Sequence, residues 1–276
     1  MTAFPEPAAF AALYPEAPGT IRHGLANHPL LKLDALANLA TRLDPATVEY
    51  NRGDLPVGVD PAEEIGNGLS VVETIRTIEQ NGSWMVLKFI ERDPQYCALL
   101  DEVLDELLPT VEPRTGGMLK REGFIFVSSP NSVTPFHFDP EHNILCQIRG
   151  SKTMTVFPAD DEHIVSGSEH ERYHAGGHRN TPWREEFAAK GIAHALMPGD
   201  AIYVPVKAPH WVQNGPETSI SLSVTWRSEW SYAEADARGM NGVLRGIGIQ
   251  PKAPGRWPAQ NMAKALGYRV IRRIRG

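Results

Sequence analysis

Short β-prone runs, each ended by turn residues, fill the second half of this chain and leave it few architectures to adopt. They read GFIFVSS (123–129), NILCQIRG (143–150), KTMTVF (152–157), AIYVPV (201–206) and SISLSVTW (219–226). Segments this short, rich in Ile, Val, Phe and Thr and bounded by Gly, Pro, Asn or Ser, are strands. Spaced in this way, they indicate an antiparallel sandwich or barrel rather than a parallel sheet with crossover helices. Arg149, Gly150 and Ser151 predict a tight turn that closes two strands into a hairpin. Residues 160–194 are polar and charged, with little β signal, and read as a long insertion that forms a lid or substrate loop.

The flanks follow a different period. Leu33, Leu36, Ala37, Leu39, Ala40 and Leu43 recur at helical spacing. Trp84 to Ile90 is a β-prone run, and a helix follows it: Asp93 caps, Pro94 takes the first position, and Pro109 stops it. Tyr96, Leu99, Leu100, Val103, Leu104 and Leu107 form its apolar stripe, and Asp101, Glu102, Asp105 and Glu106 its solvated face. Residues 50–68, with their glycines, prolines and acids, read as a loop. Beyond Trp230 the pattern suggests a helical tail, broken at residues 251–258. The expected organisation is a mainly helical N-terminal region (1–112), a β core (113–230) and a basic helical extension (231–276).

Composition narrows the function classes. With 42% hydrophobic and 22% charged residues, the chain is an ordinary folded one. No apolar run approaches the roughly 20 residues needed to span a bilayer. The N-terminus lacks a basic region followed by an apolar one, and Cys97 and Cys146 give no disulfide framework, so a cytoplasmic location is expected. After Asp236 there is no acidic residue but there are nine Lys and Arg. These suit an anionic partner, or packing on the acidic remainder of the chain or on a second subunit. The second reading is preferred because the charges are sparse, so nucleic acid is not expected, while helical tails are compatible with a homodimer. No nucleophile elbow, P-loop or dinucleotide fingerprint is present.

The chemistry concentrates in VTPFHFDP (133–140). His137 and Asp139 are two apart, so on an extended strand both side chains face one way and can reach one ion. His210, at the end of PGDAIYVPVKAPHW (198–211), is the best-placed third ligand. Two histidines and a carboxylate form the facial triad that leaves positions open on a non-haem Fe(II). Taken alone, a His-x-Asp pair is more often an ordinary hydrogen-bonded couple, and the context is what distinguishes it.

That context is TPFHFDPEHNILCQIRGSKTMTVF, then PGDAIYVPVKAPHWVQNG, then SISLSVTW. The ordered set resembles the jumonji-C/cupin-like Fe(II)- and 2-oxoglutarate-dependent oxygenases, and within them the branch of the asparaginyl hydroxylase of the hypoxia response. The resemblance covers residues 123–226. It implies a mainly β fold: a double-stranded β-helix (cupin or jelly-roll) core with N-terminal helices and a C-terminal helical extension. It implies His137, Asp139 and His210 as metal ligands and catalytic centre. Lys152 and Thr134 would hold the distal carboxylate of 2-oxoglutarate, with Asn143 close to the cosubstrate. The implied activity is O2-dependent hydroxylation of a peptide or protein side chain, or of a small molecule, with succinate and CO2 as coproducts. A tyrosine assisting the distal carboxylate is not identified; Phe124 and Phe126 occupy the strand where one is sought. A cupin metalloenzyme without 2-oxoglutarate, or a non-catalytic cupin-like regulator, are the alternatives.

Other polar clusters carry plainer readings. His170, His174 and His178 are spaced for one helical face, but Gly176 and Gly177 oppose a continuous helix, so they read as polar residues of a mobile loop. His142 reads as a residue behind the ligands or at the surface.

Overall fold

A computed structural model describes residues 2–52 and 67–275. Eleven strands are assigned among them: β1 (Gly19–Arg22), β2 (Val48–Arg52), β3 (Ser83–Lys88), β4 (Met118–Ser128), β5 (Val133–His137), β6 (His142–Arg149), β7 (Lys152–Val156), β8 (Ile192–Leu196), β9 (Asp200–Val204), β10 (His210–Asn214) and β11 (Ser219–Ser228). They build two antiparallel sheets, a seven-stranded one in the order β1-β9-β6-β11-β4-β3-β2 and a four-stranded one in the order β5-β10-β7-β8. Helices α1 (Pro7–Leu13), α2 (Leu33–Ala40), α3 (Val71–Arg76), α4 (Pro94–Asp105) and α5 (Leu108–Thr115) precede the core. Helix α6 (Gly167–His174) lies within the insertion, and α7 (Glu229–Gly246) and α8 (Met262–Arg275) follow the last strand. The expected β-rich jelly-roll is what forms.

Alternation along the strands sorts residues into layers. Ile125 and Val127 of β4, Ile144 and Cys146 of β6, and Leu222, Val224 and Trp226 of β11 join the N-terminal helices in the largest buried cluster. Helix α4 contributes Tyr96, Leu100, Val103 and Leu104 to it, and its start is held by the Asp93 carboxylate accepting from the Gln95 N–H at 3.1 Å. Pro109 does more than end α4: it occupies the first turn of α5, where its missing N–H costs nothing. On the far side, Phe136, Phe138, Phe157 and Phe187 form a separate aromatic cluster between the smaller sheet and the insertion.

Several local expectations change. Residues 149–151 do turn sharply, yet β6 and β7 are not a hairpin: they lie in different sheets, and the turn carries the chain over the edge of the sandwich. Turn chemistry says where a chain reverses, not which strand it then bonds. Gly150 makes the reversal at φ +66°, with Thr218 O only 2.5 Å from where a Cβ would sit. Gly150→Ala therefore combines a left-handed backbone with a clash against main chain. It should destabilise the protein by about 2 kcal/mol or more, read as a lower urea midpoint with unchanged slope. The N-terminal region, read as mainly helical, also supplies β1, β2 and β3 to the larger sheet. Residues 50–52, placed in a loop from sequence, end β2; residues 53–66 of that expected loop lie outside the described residues. The insertion is ordered: Ser166 and Glu169 form a capping box on α6, and a 3-10 helix (Glu185–Lys190) precedes β8. The basic tail pairs with its own chain, through Arg245 with Glu171, Arg256 with Glu16, and Arg269 with Asp236. Among the described residues no helix is long and apolar enough to cross a membrane.

Candidate active site

A cavity of about 530 Å³ opens between the two sheets, and every residue predicted for the site lines it. β10 lies between β5 and β7, and His210 stands beside His137 on one side and Val156 on the other. Asp139 lies two residues past the last residue of β5. Its main-chain carbonyl accepts from the Lys207 N–H at 2.7 Å, which ties it to the turn leading into His210. That turn is anchored from within: the Lys207 ammonium is completely buried and donates to Glu234 at 2.7 Å.

The three side chains converge. One ligand atom from each of His137, Asp139 and His210 lies within 4.8 Å of the others. Asp139 Oδ2 is 3.9 Å from His137 Nε2 and 3.7 Å from His210 Nε2. Donors about 3–4 Å apart are what an ion at 2.0–2.2 Å from each requires. Each imidazole is oriented through its other nitrogen. His137 Nδ1 donates to Pro135 O at 2.7 Å and His210 Nδ1 to Ala208 O at 3.0 Å, which leaves both Nε2 lone pairs facing the carboxylate. Burial and the neighbouring imidazole lower the His137 pKa to about 3, and burial lowers that of His210, so both rings are neutral and able to ligate. Burial alone would raise the Asp139 carboxyl, but the Arg179 guanidinium and the two imidazoles outweigh it and hold it at about 2. The donor set is that of a facial triad, and it fits Fe(II).

Arg179 is the residue that sequence reasoning missed. Its Nη1 donates to Asp139 Oδ1 at 2.8 Å, leaving Oδ2 toward the histidines. The insertion delivers it: Phe138 N donates to Arg179 O, Thr181 N to Phe136 O, and Asn180 bridges to His137, so residues 179–181 run beside β5 like a short edge strand. Nothing in the local sequence signalled this pairing.

At the other end of the cavity sits Lys152, 6% exposed. It lies opposite Asn214, about 13 Å along the sheet from the row of His210. Among the described residues no carboxylate pairs with it, and burial lowers its ammonium to about 7. Thr134 also lines the cavity, although it stands three positions before His137, an odd offset that by strand parity would turn it away. A β-bulge corrects the parity: the steps from Thr134 to His137 run opposite the shorter steps from Val212 to His210. Asn143 lines the larger sheet, its Oδ1 accepting from Ser223 Oγ at 2.7 Å. Ser223 and Thr225 line it too, so the second half of the polar face of SISLSVTW looks into the cavity, while Ser219 and Ser221 are buried against Gln147.

Phe124 and Phe126 form cavity wall and provide no hydrogen bond, but the adjacent strand does. Trp84 on β3 lines the cavity beside Phe126, and its Nε1–H is buried with no hydrogen-bond partner among the described residues. A buried ammonium and a buried N–H, both unpaired, suit an anionic ligand rather than an empty apolar pocket.

Two expectations about histidines change. His142 is fully buried behind the larger sheet, bonded to Tyr203 and Ser228 and stacked on Trp226 at 5.2 Å; it is neither at the surface nor directed at the triad. His170 and His174 are on α6, not in a loop: His170 packs against Phe138 and His174 meets Lys207, each engaged separately.

Comparison with known proteins agrees with this geometry. The model of a cupin-like domain matches residues 70–232. Jumonji C domain-containing protein 5 of Drosophila melanogaster is 32% identical over 104 residues, which are 34% of this chain and 25% of that protein. The X-ray structure of E. coli ycfD superposes with a TM-score of 0.53 at 19% identity, covering 96% of this chain and 66% of that one. YcfD, a ribosomal oxygenase from Escherichia coli, in complex with cobalt and 2-oxoglutarate gives 0.51 at 18%, covering 98% and 67%. At such identities the likeness is one of fold. The chain thus spans about a quarter of the fly relative and about two thirds of the solved neighbour.

Proposed function

This chain belongs to the cupin-like domain family, and we propose that it is an Fe(II)- and 2-oxoglutarate-dependent oxygenase that hydroxylates a peptide or protein side chain. The observation that carries the reading is a single cavity with a facial His137–Asp139–His210 set at one end and, at the other, a buried ammonium unpaired among the described residues. A dianion chelated at one end needs its far end neutralised. Lys152 supplies the compact charge, with the Thr134 hydroxyl and the Trp84 N–H as further donors and Asn143 beside the cosubstrate. When bound, Fe(II) with 2-oxoglutarate and O2 supplies the oxidising chemistry, which yields succinate, CO2 and a hydroxylated substrate.

The protein's own part is to orient and enclose. Arg179 holds Asp139 so that one oxygen faces the histidines. Phe126, Leu145 and Met154 keep water from the cosubstrate end. The mouth carries the ion pairs Lys88–Glu49 and Lys120–Glu122 beside Phe89 and Phe124, a mixed charged and aromatic rim suited to a peptide. The ribosomal oxygenase activity of the E. coli neighbour supports a protein substrate by fold analogy alone. The VTPFHFDP segment supports a finer place beside the asparaginyl hydroxylase branch.

The test requires no knowledge of the substrate. Anaerobic addition of Fe(II) and 2-oxoglutarate should give the visible charge-transfer band of their chelate, and O2 should then release succinate. No band with either component omitted is the required control, and no band with both present ends the proposal. A cupin metalloenzyme that does not use 2-oxoglutarate would bind iron without the band.

Affinity for 2-oxoglutarate should also depend on pH in a stated direction. Lys152 of the free protein loses its proton near pH 7, and only the ammonium attracts the distal carboxylate. The apparent Kd should therefore be flat below pH 7 and rise above it, by about tenfold per pH unit at most. Calorimetric titration from pH 6 to 9 measures this; constant affinity across that range contradicts the role given to Lys152.

A further inference from the structure

A second cavity, of about 270 Å³, lies away from the first, between the start of the insertion and the connection that joins α7 to α8. Two of its polar lining side chains are almost completely buried, Arg238 of α7 (4% exposed) and His170 of α6 (2%). Each has a polar atom with no hydrogen-bond partner among the described residues, Arg238 Nη1 and His170 Nδ1. Two unsatisfied polar groups bordering one cavity are unusual in a folded chain and call for a ligand. The space exceeds the about 30 Å³ that one water occupies in the liquid.

The charges around it decide the kind of ligand. Arg238 Nε and the Lys207 ammonium donate to the same carboxylate, Glu234, which is itself buried, so two interior cations share one anion. Arg256, also on the cavity wall, is engaged through Nε by Glu16 and through Nη1 by Val206 O; its Nη2 makes no formal hydrogen bond but lies 2.8 Å from the same Glu16 carboxylate, so its charge is met. Among the fully buried groups here two cations thus face one carboxylate, and the guanidinium nitrogen with neither a hydrogen bond nor an ion pair among the described residues is Nη1 of Arg238. Asp160 and Glu162 line the cavity as exposed residues and would repel a polyanion. What remains is a small ligand that enters past them and places a single oxyanion head against Arg238.

We propose that this cavity binds a small oxyanion, a carboxylate or an inorganic phosphate, held by the guanidinium of Arg238 with His170 Nδ1–H as second donor. A planar guanidinium with an unpaired edge is built for such oxygens. The site also touches the catalytic strand: the His170 ring packs at 4.6 Å against Phe138, the residue between His137 and Asp139. The proposal does not rest on the oxygenase reading, because it concerns binding to the metal-free chain.

The experiment is thermal denaturation of the full chain in graded sodium phosphate and, separately, sodium acetate, each against sodium chloride at matched ionic strength. A saturable rise in Tm with phosphate or acetate and none with chloride is expected; which anion saturates assigns the head group. Arg238→Lys keeps a cation for Glu234 but removes the guanidinium fork, and should weaken binding by about tenfold or more. Because that variant touches a buried network, Ala159→Leu serves as the second: it fills the cavity from its wall, leaves the network intact, and should abolish the shift. Lack of a saturable shift with either anion, or a shift of equal affinity in Ala159→Leu, overturns the proposal.

Discussion

Replacing His137 or Asp139 by alanine should abolish Fe(II) binding, with affinity falling more than about 100-fold, beyond what the loss of a mere orienting partner costs. The reason is geometric. Facing Nε2 and Oδ2 atoms 3.7–3.9 Å apart make a site only as a set, and any two of them leave the ion with solvent for its remaining partners. The fold should survive in both variants, because the side chains line a cavity and do not fill the core. His137→Ala leaves no charge unpaired, and its Tm should stay close to wild type. Asp139→Ala deprives Arg179 of its partner, so a modest further loss of stability is expected. Asp139→Glu should also fail to bind, since the longer side chain displaces the carboxylate relative to both imidazoles. The measurement is iron content and Fe(II) titration of the purified variants, alongside circular dichroism. Retained iron affinity in either alanine variant would remove the metal centre from the proposal.

Lys152→Met should move function and stability in opposite directions. The chelate band at modest 2-oxoglutarate should disappear, with affinity lost by about 100-fold or more, because truncating a buried charge contact typically costs on the order of 3 kcal/mol. Iron binding should be retained, since Lys152 lies at the far end of the cavity. The metal-free variant should meanwhile be more stable than wild type, by on the order of 2 kcal/mol, because burial of an ammonium without a partner opposes folding. The sign follows from the proton balance. The Lys152 pKa is about 7 when folded against 10.5 for an ordinary lysine, so the unfolded chain holds more protons between those limits. The penalty on the wild type is complete below pH 7 and is relieved as pH rises toward 10.5. The Tm advantage of Lys152→Met should therefore be largest below pH 7 and shrink above it. A variant that loses both stability and cosubstrate would assign Lys152 a structural role instead.

Several parts of the site were legible in the residue order because they follow from local geometry. His137 and Asp139, two apart, come to one ion-sized space as an extended segment predicts although β5 itself ends at His137, Asp93 and Pro94 announce a helix start, and the short runs after residue 117 declare an antiparallel β core. Lys152, Thr134 and Asn143 were reached through resemblance, and each lines the same cavity as the triad. Other readings failed where a partner distant in sequence changed the meaning of a local pattern. The turn at Gly150 was taken for a hairpin because nothing near it specifies that β6 bonds to β9 and β11 while β7 bonds to β8 and β10. The search for a cosubstrate donor stayed on β4, whereas the unpaired N–H belongs to Trp84 on the neighbouring strand.

Periodicity and turn chemistry, both properties of adjacent residues, were sufficient to specify an antiparallel β core and to place His137 and Asp139 within reach of one ion; the ordered motifs around them, through their resemblance to a family, were needed to read that pair as ligands. The approach of His210 to that pair, the bulge that turns Thr134 inward, and the clamp of Arg179 on Asp139 depend on contacts between segments tens of residues apart. Such contacts arise from how two sheets and an insertion pack, and strand parity carries no trace of them.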